Sequence, residues 1–367
     1  AVSIDRRSRK VFHQGPAGDT EEVNYDKLLV ATGARPIIPD IPGSHLPGVL
    51  ALKSLEDGKA IKNFMAKADV KSAIIIGMGY IGLEMAEAFH ERGIRVDMVK
   101  PSKRFIPYLP VEMGEVVSNE LTDKGIGLHF GVEAKSIESS GRGLRLVTGE
   151  GNMDADMILV SIGVRPNSEI AANAGIELGP KSSIAVDKAL RTSDPDIFSA
   201  GDCADAFHVI TGKRVWIPLA LRANRAGWAV ADNLLETKVE LPGVAGSAVF
   251  KVLDMQVART GISLDEALKE GFNAVDEVIK SRSRAHAHKG NQTIHVQLVA
   301  DSKTGRLLGG AMVGREGCAH RINSLAVALQ AGMTVDEFFQ CDMAYAPPFS
   351  PVWDPLLTAA NQLMKKM

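Results

Sequence analysis

The stretch AIIIGMGYIGLEMAEAFHERGIRVDMVK, residues 73–100, decides how the rest of the chain is read. The short apolar run Ala73–Ile76 leads at once into Gly77, Gly79 and Gly82 in G-x-G-x-x-G spacing. An amphipathic stretch then runs to a helix-ending Gly93, and Val96–Val99 reads as a second strand. Together these make a βαβ unit with its glycines where a dinucleotide needs them. Gly77 permits the tight turn, Gly79 lets the backbone approach a pyrophosphate, and Gly82 lets helix lie close against strand. The phosphates are expected on the amides that open the helix, around Tyr80, Ile81 and Gly82, where the helix dipole is positive.

Composition sets the wider limits. A chain of 367 residues has room for two or three domains. It is 45% hydrophobic and 23% charged, with a net charge of −2. That balance gives no reason to expect nucleic acid or an anionic membrane as partner. No apolar run is long enough to span a bilayer. Cys203, Cys318 and Cys341 are widely spaced, odd in number and without a C-x-x-C, which suits a reducing cytoplasm. His286 and His288 lie in a polar stretch with no carboxylate or cysteine cluster beside them, so no metal site is expected there.

Before the glycine unit, residues 1–14 alternate like one antiparallel strand and GPAGD breaks them as a turn. Tyr25–Val30 reads as a strand ending in Ala31-Thr32-Gly33-Ala34-Arg35-Pro36, and Leu55–Ala68 as a helix. After Lys100 the pattern gives a helix over Val111–Lys124, a strand over Ile126–Phe130 and a β-meander over residues 132–153. Met157–Ile162 is a buried strand ending at Gly163. Its ending, VSIGVRP, resembles the earlier VATGARP, which suggests two related nucleotide-binding domains.

In TSDPDIFSAGD, residues 192–202, a brief strand over Ile197–Ala200 halts at Gly201 and Asp202. Such an acidic residue either bonds a cofactor's hydroxyls or caps the next helix. Residues 218–235 form an alanine-rich helix with Pro218 at its start. Beyond Leu241-Pro242-Gly243, residues 247–258 and 293–314 read as strands, and Gly261–Gly271 and Ala319–Gly332 as helices. DMAYAPPFSPVWDP, residues 342–355, is too rich in proline for a regular element, and a short helix follows it.

VATGARP, GMGYIGLEMAE, VSIGVRPN, TSDPDIFSAGDC, PLALRANRAG and YAPPFSPVWDP follow one another along nearly the whole chain. In series they resemble the FAD-dependent pyridine nucleotide-disulfide oxidoreductases, above all the coenzyme A-disulfide reductase, NAD(P)H oxidase and persulfide reductase group. The resemblance implies an α/β fold in which a split FAD domain (residues 1–38 and 166–240) holds an inserted NAD(P) domain (39–165), followed by an α+β dimerisation domain (241–367). It also implies an earlier βαβ unit for the FAD pyrophosphate and a single redox cysteine. The chain opens at Ala1 without them, and none of its three cysteines fits the nucleophile's place.

Site residues follow from the same resemblance. Asp202, beside Gly201, is expected to bond the flavin's ribityl chain. Thr32 and Gly33 belong near FAD, and Leu219 and Ala220 near the flavin ring. Gly163 falls at the matching strand end of the NAD(P) domain. Tyr80 resembles the aromatic gate over the flavin, or is a core tyrosine; Glu84 matches a carboxylate near the flavin. Tyr345 either reaches the partner's flavin and cysteine across a homodimer or packs in the interface. An NAD-preferring unit carries Asp or Glu where this chain has Lys100, with Lys103 and Arg104 following. Cations there attract a 2′-phosphate, so NADPH is expected over NADH. Trp353 and Asn224 stand where coenzyme A-disulfide reductases place a lysine and a histidine, which leaves small disulfides, persulfides, sulfur or oxygen open as acceptors. The expected function is hydride transfer from NADPH (or NADH) through FAD to a disulfide or persulfide in a cytoplasmic homodimer. An oxygen-reducing oxidase and a truncated, catalytically incomplete NADP(H)-binding dimer are the alternatives.

Overall fold

A computed structural model of the chain describes residues 1–141, 143–235 and 237–367. They divide into two compact units, Ala1–Arg35 with Val164–Gly246, and Pro36–Gly163 with Ser247–Met367.

The second unit holds the glycine motif. Its parallel sheet runs in the order Val49–Ala51, Met157–Val160, Ser72–Ile76, Arg95–Lys100, Gly127–Phe130. Parallel strands joined by helices are covered on both faces, which is why they read as apolar runs. Ile75, Met98 and Leu159 face one core with Leu83, Phe89, Val117 and Leu121. Ile74, Ile76, Val99, Ile158 and Val160 face another with Ile137 and Leu146 of the meander. The helix at Leu55–Ala68 has the bounds the sequence predicts. Its start is local chemistry: Ser54 accepts from the Asp57 amide while the Asp57 carboxylate accepts from the Ser54 amide, a closed capping box.

In the same unit, an antiparallel sheet runs Ala248–Val252, Met255–Gly261, Leu307–Gly314, Thr293–Asp301, Ala274–Arg282. Phe250, Val252, Val257 and Val313 share a core with Leu83 and Phe89 of the helix Tyr80–His90. Several expectations are corrected here. Residues 247–258 are not one strand: Leu253, at φ 52, turns the chain between two. The predicted helix over Gly261–Gly271 shrinks to Leu264–Lys269, because Gly261 still pairs with Gly309 in the sheet. The strand Ala274–Arg282 and the short helix Val335–Phe339 were not predicted, although Thr334 and Glu337 form a capping box that opens the helix.

In the first unit, residues 1–14 form two strands, Ser3–Asp5 and Lys10–Gln14, joined by a turn that places Arg9 at φ 55. A third strand, Thr20–Asn24, pairs with the second. The predicted strand Tyr25–Val30 is only Leu28–Val30, paired in parallel with Ile197–Ser199. The alanine-rich helix spans Ala220–Leu234 and not 218–235. Pro218 precedes it, and Leu219, extended at φ −116 and ψ 143, is its N-cap.

Candidate functional site

In the first unit, the parallel pairing of Leu28–Val30 with Ile197–Ser199 brings two loops together at the strands' carboxyl ends. One loop carries Thr32 and Gly33, the other Gly201 and Asp202. Ligands of open α/β sheets lie in such crevices. Gly33 and Gly201 adopt φ values of 70 and 85, and the space a Cβ would occupy at each is open. Thr32 is braced by Asn167: its hydroxyl donates to the Asn167 carbonyl, and Asn167 Nδ2 donates to the Thr32 carbonyl at 2.9 Å. Leu219 opens the helix Ala220–Leu234, whose first turn has no side-chain cap. Its amides are therefore available to an electron-rich ring. Asn224 lies on the exposed side of that helix.

The residues that shape this crevice include several that sequence reading passed over. Buried Arg222 donates to the Gly201 and Asp205 carbonyls, which fixes the turn at Gly201 and Asp202 from the helix side. Trp216 Nε1 donates to the Asp202 carbonyl at 2.8 Å. Asp205 is fully buried, and burial raises its pKa although it accepts from the Val186 amide and from Arg214. The spacing G-D-C-A-D held the signal, since its second acid falls three residues after the first. Cys203 lies buried against Ser199 and the Ala200 carbonyl, a packing position.

In the second unit, Gly77 follows Ser72–Ile76 at φ 110, and its amide donates to the Val99 carbonyl at 2.8 Å. A Cβ on Gly77 would collide with the Ser161 carbonyl oxygen of the neighbouring strand. One on Gly82 would stand 2.7 Å from the Gly77 carbonyl oxygen. Gly79, by contrast, faces open space and is the N-cap of Tyr80–His90, again without a side-chain cap. The first and third glycines are required by packing within the protein, and the second leaves a cradle with bare amides from Tyr80, Ile81 and Gly82. That cradle fits a pyrophosphate. Gly163, exposed at φ 119, lies past the next parallel strand.

Side chains around the cradle are more constrained than their spacing suggests. Tyr80 packs edge-on to Tyr108 at 6.2 Å and against Phe250 at 4.9 Å. Glu84 is exposed on the helix; partial desolvation and the Glu87 carboxylate raise its pKa. Lys100 does not stand free at the strand end: its ammonium donates to the Arg104 and Phe105 carbonyls at 3.0 and 2.7 Å, and burial lowers its pKa. Arg104, exposed like Lys103 beside it, pairs with Asp265 at 2.7 Å. Tyr345 and Trp353 occupy a separate surface loop; Trp353 stacks on Phe339 at 5.3 Å.

Comparison with known proteins supplies the family. Residues 1–227 match the model of the family described as pyridine nucleotide-disulphide oxidoreductase, and residues 247–356 match that family's dimerisation domain. The chain belongs to the pyridine nucleotide-disulphide oxidoreductases. It is accordingly an oxidoreductase of the FAD and NAD(P)H type, as the sequence resemblance implied. It is 38% identical over 347 residues to an NAD(P)H sulfur oxidoreductase (CoA-dependent) of Pyrococcus furiosus, covering 94% of this chain and 78% of that one. It is 32% identical over 368 residues to an NADH oxidase of Methanocaldococcus jannaschii, covering 100% of this chain and 82% of that one. Its fold superposes on an NAD-dependent persulfide reductase from A. fulgidus with a TM-score of 0.96 and 36% identity, over 100% of this chain and 68% of that one. Among the described residues no helix is long and apolar enough to cross a membrane.

Proposed function

We propose that this protein passes hydride from NADPH, or NADH, through FAD to a small sulfur acceptor: a thiol disulfide, a persulfide or coenzyme A disulfide. The observation that carries the reading is the pair of strand-end cradles, each with positive-φ glycines and an uncapped helix N-terminus. When bound, FAD would supply a ring able to accept hydride and to pass two electrons on. The amides of Tyr80, Ile81 and Gly82 hold the reductant's pyrophosphate, and Gly79 keeps side-chain atoms out of its way. Gly201 and Asp202 hold flavin hydroxyls, while the helix opening at Leu219 and Ala220 stabilises negative charge on the ring. Tyr80 and Glu84 sit on the first turns of the reductant's helix, where they bound the nicotinamide end. Tyr345 serves the partner's site in a homodimer, and Asn224 and Trp353 border the acceptor. The domain division 1–38 with 166–240, 39–165 and 241–367 goes with this reading, as does a cytoplasmic location, which the free cysteines suit.

NADPH is preferred because no carboxylate stands at the end of the second strand and Lys103 is exposed beside it. The test is anaerobic. NADPH should reduce a near-stoichiometric flavin band, and polysulfide with coenzyme A should reoxidise it under argon. A colourless protein, or a reduced flavin that only oxygen reoxidises, overturns the sulfur reading. Peroxide or water formed in air at the full turnover rate would instead favour an oxidase, the activity named for the Methanocaldococcus relative.

A further inference from the structure

The loop from Asp342 to Trp353 has no regular element, yet its backbone is fastened at several points. Arg321, on the helix Cys318–Ala331, is the centre of that fastening. Its side chain is 13% exposed, and its Nε donates to Asp354 Oδ2 at 2.7 Å. One terminal nitrogen donates to the Phe349 and Ser283 carbonyls at 2.7 and 3.0 Å, the other to the Gly317 carbonyl at 3.3 Å. Asp354 in turn accepts from the Leu356 amide at 2.9 Å and caps the helix Pro355–Met364. The Ala285 amide donates to the Pro347 carbonyl at 3.1 Å, and Ser350 is buried and donates to Asp354.

Outward from these ties the loop presents Tyr345, Phe349, Val352 and Trp353, each at least 45% exposed. A backbone tied at several points beneath exposed apolar side chains is an arrangement for presenting those side chains, since it contributes little to a core. The path from Arg321 to Tyr345 is short. Arg321 holds the Phe349 carbonyl, and the Phe349 and Ser350 amides close back on the Ala346 carbonyl, the residue after Tyr345.

We propose that Arg321 is the positioning residue for Tyr345: its guanidinium fork sets the turn Ala346–Phe349 and so the angle at which Tyr345 leaves the surface. This rests on the reading of Tyr345 as a contributor to acceptor reduction. A planar fork is needed because three carbonyls and a carboxylate are gathered from four places in the chain, which a single ammonium cannot reach together.

The test uses the FAD-loaded protein and the variants Arg321→Met, Arg321→Lys, Tyr345→Phe and the Arg321→Met/Tyr345→Phe double. Flavin reduction by NADPH and reoxidation by polysulfide with coenzyme A are timed separately. Arg321→Met should slow reoxidation by roughly tenfold or more, the penalty of a displaced group, and leave flavin reduction unchanged. In the Tyr345→Phe background it should add less than about twofold, because residues acting as one unit are non-additive. Arg321→Lys should fall between, and carries the same comparison if Arg321→Met does not fold. Full additivity with Tyr345→Phe, or reoxidation at the parent rate, overturns the role of Arg321. A silent Tyr345→Phe overturns the reading of Tyr345 itself.

Discussion

At the scale of single residues, the strongest constraints fall on atoms with no alternative position. Gly77 combines φ 110 with a carbonyl oxygen where a Cβ would go. Gly77→Ala should cost about 1–3 kcal/mol and lower the melting temperature; Gly79→Ala, facing open space, should spare stability and weaken NADP(H) binding. His295 is the other exacting residue. It is buried in the C-terminal sheet opposite Val313, and its Nδ1 is the buried side-chain atom without a partner among the described residues. Burial, then Lys280 on the paired strand, lowers its pKa, while the Val313 backbone and Glu112 act the other way. The unfolded chain therefore binds the proton first. The stability that the neutral ring contributes is present above about pH 6.5 and is lost as pH falls toward the lowered folded value. His295→Gln should flatten the acid side of the curve, by at most about 1.4 kcal/mol per pH unit, in urea titrations between pH 7 and 5. An unchanged slope would refute this.

At the scale of elements, the helix Tyr80–His90 does two jobs. Its N-terminus forms the cradle, and its far end is bolted to the C-terminal sheet through Glu87, which accepts from Lys251 and, at 2.7 Å, from the Leu253 amide. Leu253 is the left-handed turn residue of that hairpin. Glu87→Ala leaves a largely buried amide without its acceptor and should cost about 1–3 kcal/mol, whereas Lys251→Ala, at an exposed position, should cost under about 1 kcal/mol. The second strand's end is likewise an element property. Lys100 closes the loop to Phe105 by bonding two carbonyls, so Lys100→Glu both frees that loop and reverses its charge. Binding of 2′,5′-ADP should weaken by roughly tenfold or more, measured by calorimetry. Equal use of NADH and NADPH, with no effect of Lys100→Glu, would end the NADPH assignment.

At the scale of the whole molecule, the C-terminal sheet lies in the stretch that matches the family's dimerisation domain and shares a core with the parallel sheet and the helix Tyr80–His90. Phe349, Val352 and Trp353 are exposed apolar side chains on that domain, and a contact with a second copy is tested there. Val352→Asp should shift the protein from twice the chain mass toward the single mass in sedimentation, and a parent protein that already runs as a monomer would refute the homodimer.

Much of the site was legible in the chain because its signals are backbone signals. Gly77 and Gly82, and the strand endings at Gly33, Gly163 and Gly201, report left-handed turns or a close approach that favour glycine, while Gly79 leaves the space before the helix open. The helix Leu55–Ala68 announces itself through Ser54 and Asp57, three residues apart. The strand Ala274–Arg282 stayed hidden because it is half-buried nearly throughout and its side chains do not alternate. The turn at Arg6–Arg9 was equally invisible, since charged residues suit strand and turn alike. What the sequence determined by itself was the family and the glycine turns of the two cradles, all set by local spacing. What only the tertiary structure decided was which charged groups are already engaged: Lys100 on its own loop, Arg222 on the Gly201 turn and Arg321 on the Tyr345 loop. Those partners are brought together by folding, because a long side chain's hydrogen bonds depend on where the fold delivers its acceptors.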